Sequence, residues 1–191
     1  MSLEIKNYNT HIIHLSGEIN FTSVRETMRA ISEANEDNNV GDIILTVTTM
    51  GGFLYPAFAL YDYIRASQKP IDVIAIGCCM SAGVMILQAG RKRLCYPHTL
   101  FMIHPSQYSL PDEKGYHEVL FMIDQYKKDH DTFIQLTINR SGITQQDFDS
   151  YVNPVKYLNP DEALKFGPYG LIDEVVSYAG HEETGRIPPS V

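Results

Sequence analysis

Tryptophan is absent from this 191-residue chain, and cysteine occurs only three times. Cys78 and Cys79 are adjacent and no C-x-x-C occurs, so the sequence encodes neither a disulfide framework nor a cysteine-rich zinc site. No apolar run reaches the roughly 18 residues that cross a bilayer. The opening Met1-Ser2-Leu3-Glu4-Ile5-Lys6 does not read as a signal peptide. Basic runs are missing too. Lys and Arg number 15 against 23 Asp and Glu, a net charge of −8, which disfavours coating of phosphate backbones. Neither G-x-G-x-x-G nor a P-loop is found. The expectation is a cytoplasmic protein that binds no nucleic acid and no membrane, with no metal and no cofactor.

What is present is ordinary globular composition, 44% apolar and 20% charged. A fold of this size buries about 70% of its unfolded surface, so one domain over 1–191 suffices. Within it, about 1–10 reads as a short N-terminal segment. The polar stretch of about 180–191, with Pro188-Pro189, reads as a loose tail. Between them strands and helices alternate. His11–Ser16 is a strand, and Ser23 with Glu26 reads as the capping box of a helix reaching Asn35. Asp42–Thr48 is a β-branched strand broken by Gly51-Gly52, and Leu54, Phe58, Tyr61 and Ile64 mark the next helix. Ile71–Ile76 is a strand broken by Gly77, with a short apolar helix from Ser81 to Ala89. Leu100–His104 is a strand stopped by Pro105. Asn159-Pro160-Asp161-Glu162 opens a helix ending at Gly167, and Gly170–Val176 is a last strand. The pattern implies an α/β fold with a mainly parallel sheet covered on both faces. One helix stands out. The pattern over about 111–140 would span about 45 Å, more than the domain's own width, so part of it should project.

Three weak signals for chemistry share one side of that architecture. Ser81 follows a buried strand and opens a helix, where free backbone N–H groups and the helix dipole favour an oxyanion. The hydrolase elbow G-x-S-x-G is not matched, since the segment is Cys79-Met80-Ser81-Ala82-Gly83. His104 lies at a strand's C-terminal end, where α/β sheets place their ligand crevices. Gly51-Gly52 opens a helix after a strand, and paired glycines let backbone approach a ligand. Taken alone, each also has a bland structural reading. His11 and His14 are three apart on a strand, so they face opposite ways and form no metal pair.

Together these segments resemble the proteolytic subunit of the Clp protease, ClpP, a serine peptidase on a crotonase-like fold of repeated ββα units. The resemblance runs from about His11 to Val176. Thr49-Met50-Gly51-Gly52 resembles the family's S-P-G-G, and Gly77–Gly83 resembles G-x-A-A-S-M-G around the nucleophile. Phe101–Pro105 resembles the block ending M-I-H-Q-P. Glu162-Ala163 with Gly170–Asp173 resembles the closing E-A-x-x-x-G-L-I-D. The resemblance implies Ser81 as nucleophile, His104 as general base, and the N–H groups of Gly52 and Ala82 as the oxyanion hole. It implies peptide or unfolded-protein substrates. It also implies a handle helix over about 111–140 that interlocks heptameric rings, one or two of them, into a homo-oligomeric chamber.

Several positions depart from the family pattern. The third triad residue, an Asp in the family, aligns with Val155, which cannot accept the imidazole N–H. Asn153 is the nearest candidate replacement, and Asp149 lies further off. Pro105-Ser106-Gln107-Tyr108 lacks the family's Gly pair, and extra residues within Gly167–Gly170 interrupt the closing block. Fewer residues precede the first strand than in the family's pore-lining arm, which argues against docking of an ATPase unfoldase. Two alternatives stay open at this point. One is an inactive or weak paralogue with a structural or regulatory role. The other is a crotonase-like acyl-CoA enzyme, which would hold a thioester enolate in the same N–H pair and would not need Ser81.

Overall fold

The computed structural model describes residues 9–108 and 115–177. The expected N-terminal segment therefore lies almost wholly outside the described residues, as do the first residues of the long helical pattern and the C-terminal tail.

Strand β1 (Thr10–Ser16) leads to helix α1 (Phe21–Glu36). The cap of α1 lies three residues earlier than the sequence suggests. Asn20 is the N-cap and accepts from the N–H groups of Thr22 and Ser23, while Ser23 Oγ accepts from the Asn20 N–H. Ser23 is thus the third helical residue of a capping box, because Asn caps as well as Ser and reaches both N–H groups. Strand β2 (Asp42–Thr49) and helix α2 (Leu54–Arg65) follow. The buried side of α2 is Pro56, Ala57, Leu60 and Ile64, one step round from the stripe that the larger residues suggest.

Strand β3 (Ile71–Met80) runs straight past Gly77. Gly77 does not end the strand; it sits in a bulge. Val47 faces Ala75, but Thr49 faces Cys79, so extra residues are looped out on β3. The bulge divides the strand's work. Before it, Val73–Ala75 pair in parallel with β4 (Arg93–Cys95); after it, Cys78–Met80 pair in parallel with β5 (Leu100–Ile103). Helix α3 (Ala82–Ala89) lies between, wholly buried.

Helix α4 spans Tyr116–Ser141, with Gly142 left-handed just past its end. At 1.5 Å per residue it is about 39 Å long. Its first half is largely exposed, with Tyr116, Leu120, Phe121 and Ile123 all open to solvent. Its second half docks through Phe133 and Ile134 on the main core. Helix α5 (Gln145–Val152), strand β6 (Lys156–Leu158), helix α6 (Pro160–Leu164) and strand β7 (Glu174–Val175) complete the order. The α6 cap is as expected, Asn159 and Glu162 forming a second capping box, but the helix stops at Leu164.

The main path of the sheet is β1-β2-β3-β4-β7, parallel throughout, with β5 joining β3 and β6 antiparallel to β5. This is the mixed α/β fold with a parallel sheet that the sequence implies. Among the described residues, helices cover one face and not both. Alternate residues Ile43, Leu45 and Val47 of β2 enter the large core beneath the helices. The opposite face carries a small cluster of Ile44, Ile74, Leu94 and Val176, with Ile76 and Tyr96 packed against it and no helical residue among them.

Candidate active site

The bulge in β3 has a direct consequence for Ser81. Beyond it, Met80 pairs with Met102, and the Ser81 N–H donates to the Met102 carbonyl at 2.8 Å. The chain then turns sharply into α3. Ser81 has φ 53° and ψ −124°, and among the described residues no other non-glycine has a positive φ. Such a conformation costs an L-residue about 1–3 kcal/mol and persists only where its surroundings impose it. Here the surroundings are β5 on one side and the buried α3 on the other. Two residues beyond Met102 the chain reaches His104, whose Nε2 lies 2.8 Å from Ser81 Oγ.

Gly51 and Gly52 close in on the same serine. A Cβ on Gly51, at φ 115°, would lie 2.7 Å from Ser81 Cβ. One on Gly52, at φ 156°, would lie 2.2 Å from the Ile19 carbonyl oxygen. Neither position can hold a side chain. Ile19 donates to the Gly51 carbonyl and accepts from the Phe53 N–H, so the intervening Gly52 N–H faces away from Ile19. The turn is tied by Thr49, which in the sequence stands out only as the first residue of the S-P-G-G-like block. Its Oγ1 accepts from the Gly51 N–H at 2.9 Å and donates to the Gly17 carbonyl at 2.6 Å. Ala82 supplies the first N–H of α3, at an end with no side-chain cap. Helix starts leave such groups unsatisfied and partly positive.

Gly52, Ser81 and His104 line a cavity of about 480 Å³, together with Tyr55, Tyr126 and Asp129. The Ser106 N–H and hydroxyl both meet Nδ1 of His130, tying the segment after His104 to α4. Cys79 and Cys95 nearby are not competing nucleophiles. Burial pushes the Cys79 thiol well up, and the Cys95 thiol up to about 12.

Asn153 ends α5, its N–H bonds the Asp149 carbonyl, and no hydrogen bond joins its side chain to the imidazole. The Asp149 carboxylate takes Gln145 instead. The reason is register. Ile103 pairs with Lys156 across β5–β6, so one further step sets Val155 opposite His104. Among the described residues nothing hydrogen-bonds His104 Nδ1. Sequence reasoning also passed over Asp129, Tyr55 and the Ser106–His130 contact, which lie in α4, α2 and a loop and carry no local motif.

The family model of the Clp protease matches residues 4–179. The chain belongs to the Clp protease family. Curated relatives are similar at low identity. The ATP-dependent Clp protease proteolytic subunit of Deinococcus radiodurans is 28% identical over 154 residues, covering 80% of this chain and 73% of the relative. The subunit of the same name from Chaetosphaeridium globosum is 26% identical over 175 residues, covering 88% and 83%. Proteolytic subunit 2 of Prochlorococcus marinus is 28% identical over 178 residues, covering 87% and 82%. The chain is a divergent ClpP-like peptidase, and neither the acyl-CoA reading nor an inactive paralogue is favoured by the match. No helix among the described residues is long and apolar enough to cross a membrane.

Proposed function

We propose that this Clp family member is a serine endopeptidase whose nucleophile is Ser81 and whose general base is His104. The observation that carries this reading is the 2.8 Å contact between Nε2 and Oγ at a strained elbow opening a buried helix. In the cycle, Ser81 Oγ attacks the scissile carbonyl while His104 takes its proton. The imidazole then returns the proton to the leaving amine, and a water frees the acyl-enzyme by the same route in reverse. The tetrahedral oxyanion sits between the N–H groups of Gly52 and Ala82. Both belong to backbone that the Thr49 tie and α3 fix in advance.

With Val155 opposite His104, no carboxylate among the described residues bonds the imidazole, so Ser81 and His104 work as a dyad. Replacing the orienting Asp by Asn in a Ser–His–Asp enzyme costs about 10⁴ in turnover, so a slow enzyme is expected. The exposed apolar residues on the first half of α4 support a second part of the reading, assembly of copies into rings around an enclosed chamber. An ATPase that feeds unfolded chains is the partner suggested by the relatives' designation as ATP-dependent subunits. The test is active-site labelling. A fluorophosphonate probe should modify Ser81, located by peptide mapping, and should leave Ser81→Ala and His104→Ala unmodified. Absence of any adduct on the assembled wild type would refute the serine mechanism.

A further inference from the structure

Asp129 has no task in the mechanism above. It is 7% exposed, on α4, and lines the cavity that holds Ser81 and His104. Among the described residues its carboxylate oxygens each accept one bond from a neutral donor, Tyr55 Oη at 2.8 Å and Gln125 Nε2 at 2.8 Å. Among the described residues no lysine or arginine pairs with it. Among the described residues the lining includes a second carboxylate, Glu18, and neither a lysine nor an arginine. The phenol of Tyr55 is raised above its ordinary range, chiefly because it donates to this carboxylate.

A desolvated carboxylate satisfied only by neutral donors retains an uncompensated charge and free lone pairs. The walls beside it are aromatic. Tyr108 and Tyr126 stack at 4.1 Å between centroids, 10° from parallel, and Phe133 also lines the cavity. Ring faces leading to a buried carboxylate suit a long cationic side chain. Its methylenes lie along the rings and its charge meets Asp129. An apolar side chain would strip the remaining water from the carboxylate and return nothing.

We propose that Asp129 is a specificity-determining residue, making the cavity select polypeptides that present a lysine or arginine side chain beside the bond cleaved at Ser81. Cleavage rests on the peptidase reading; the cationic preference of the cavity does not. Two measurements therefore separate them. In the first, kcat/KM is compared for fluorogenic peptides differing only in arginine or leucine before the scissile bond, in wild type and D129N. Arginine should be preferred, and the arginine-to-leucine ratio should fall about 10- to 100-fold in D129N, the scale of one charge-assisted hydrogen bond. A leucine preference in wild type, or a ratio untouched by D129N, overturns the inference. In the second, the same two sequences, dye-labelled, are bound to S81A and to S81A/D129N and followed by fluorescence anisotropy. Arginine should bind tighter to S81A, more weakly as salt rises, and without advantage in the double variant. Equal affinities on S81A overturn the inference, whether or not D129N folds. A clear arginine preference on S81A, with wild type unlabelled by fluorophosphonate, sinks the peptidase reading and leaves the cationic pocket standing.

Discussion

At the scale of single residues, Val155 makes the sharpest prediction. It is 44% exposed and stands one register step beyond the Ile103–Lys156 pair, facing the imidazole. A carboxylate there is placed to accept from Nδ1 and fix the tautomer that Ser81 needs. Val155→Asp should raise kcat by at least about tenfold with KM little changed, since orientation of the base acts on the transition state. Pre-steady-state kinetics on a peptide ester would separate this from a change in product release. An unchanged rate would mean that the imidazole is already well held. Asp173 offers a second residue-scale test. Burial alone would push its carboxyl up, but the Arg93 side chain and N–H together hold it below its ordinary value of 3.8. A depressed folded-state value means stability that is present above the unfolded value and lost as pH falls through the folded one. Asp173→Asn leaves the 3%-exposed Arg93 guanidinium without its counter-charge, at a cost of about 3 kcal/mol. At this chain length that is about 6–12 °C in Tm. The variant should also lose part of the wild type's destabilisation below about pH 4, the ordinary carboxylate range. Calorimetry across pH 3–7 checks both.

At the scale of elements, Arg93 shows how the loop before β7 is fastened to the site. From β4 its guanidinium reaches Gln88 on α3 at 3.0 Å and the carbonyls of Gly170 and Tyr169 at 2.9 and 2.8 Å, besides Asp173. The loop before β7 is therefore clamped to the helix that Ser81 opens. Helix α4 does something different. Its docked half carries Asp129 into the cavity, and its free half presents Leu120, Phe121 and Ile123 to solvent. Phe121 is 71% exposed, so Phe121→Lys removes no internal packing. It should leave Tm of the dissociated protein within about 2 °C, since surface changes stay near ±0.5 kcal/mol. Sedimentation velocity should show it shifting to smaller species. Retention of the wild-type oligomer would place the assembly surface elsewhere.

At the scale of the whole molecule, the parts legible in the sequence were those whose signal is local. β-branched runs gave β1, β2 and the start of β3, and Asn159-Pro160 marked α6. Ser81, His104 and Gly52 were each weak signals that became coherent because successive strand ends fall on one rim. The parts that were not legible depend on partners distant in sequence. β4 and β6 have three residues each and form only because β3 and β5 offer free edges. Gly77 reads as a stop and becomes a bulge because β3 pairs with two different strands either side of it. Asn153 stood out by its spacing alone, which does not say which residue pairs beside β5; the register sets Val155 opposite His104. Asp129 carries no signature at all: one acidic residue among several on a long polar helix becomes distinctive only when its burial is known.

The conformation of Ser81 has one more consequence. At φ 53° and ψ −124° it occupies backbone space where glycine rests easily and a residue with a Cβ does not. Removing the hydroxyl alone, in Ser81→Ala, keeps that penalty, whereas Ser81→Gly releases it. The loss of chain entropy on ordering glycine, about 0.4–1 kcal/mol, offsets only part of the gain. Ser81→Gly should therefore melt several degrees above Ser81→Ala, although the proposed mechanism leaves both inactive. The elbow is then a place where the protein trades stability for reactivity, and thermal denaturation of two dead variants would measure the terms of that trade.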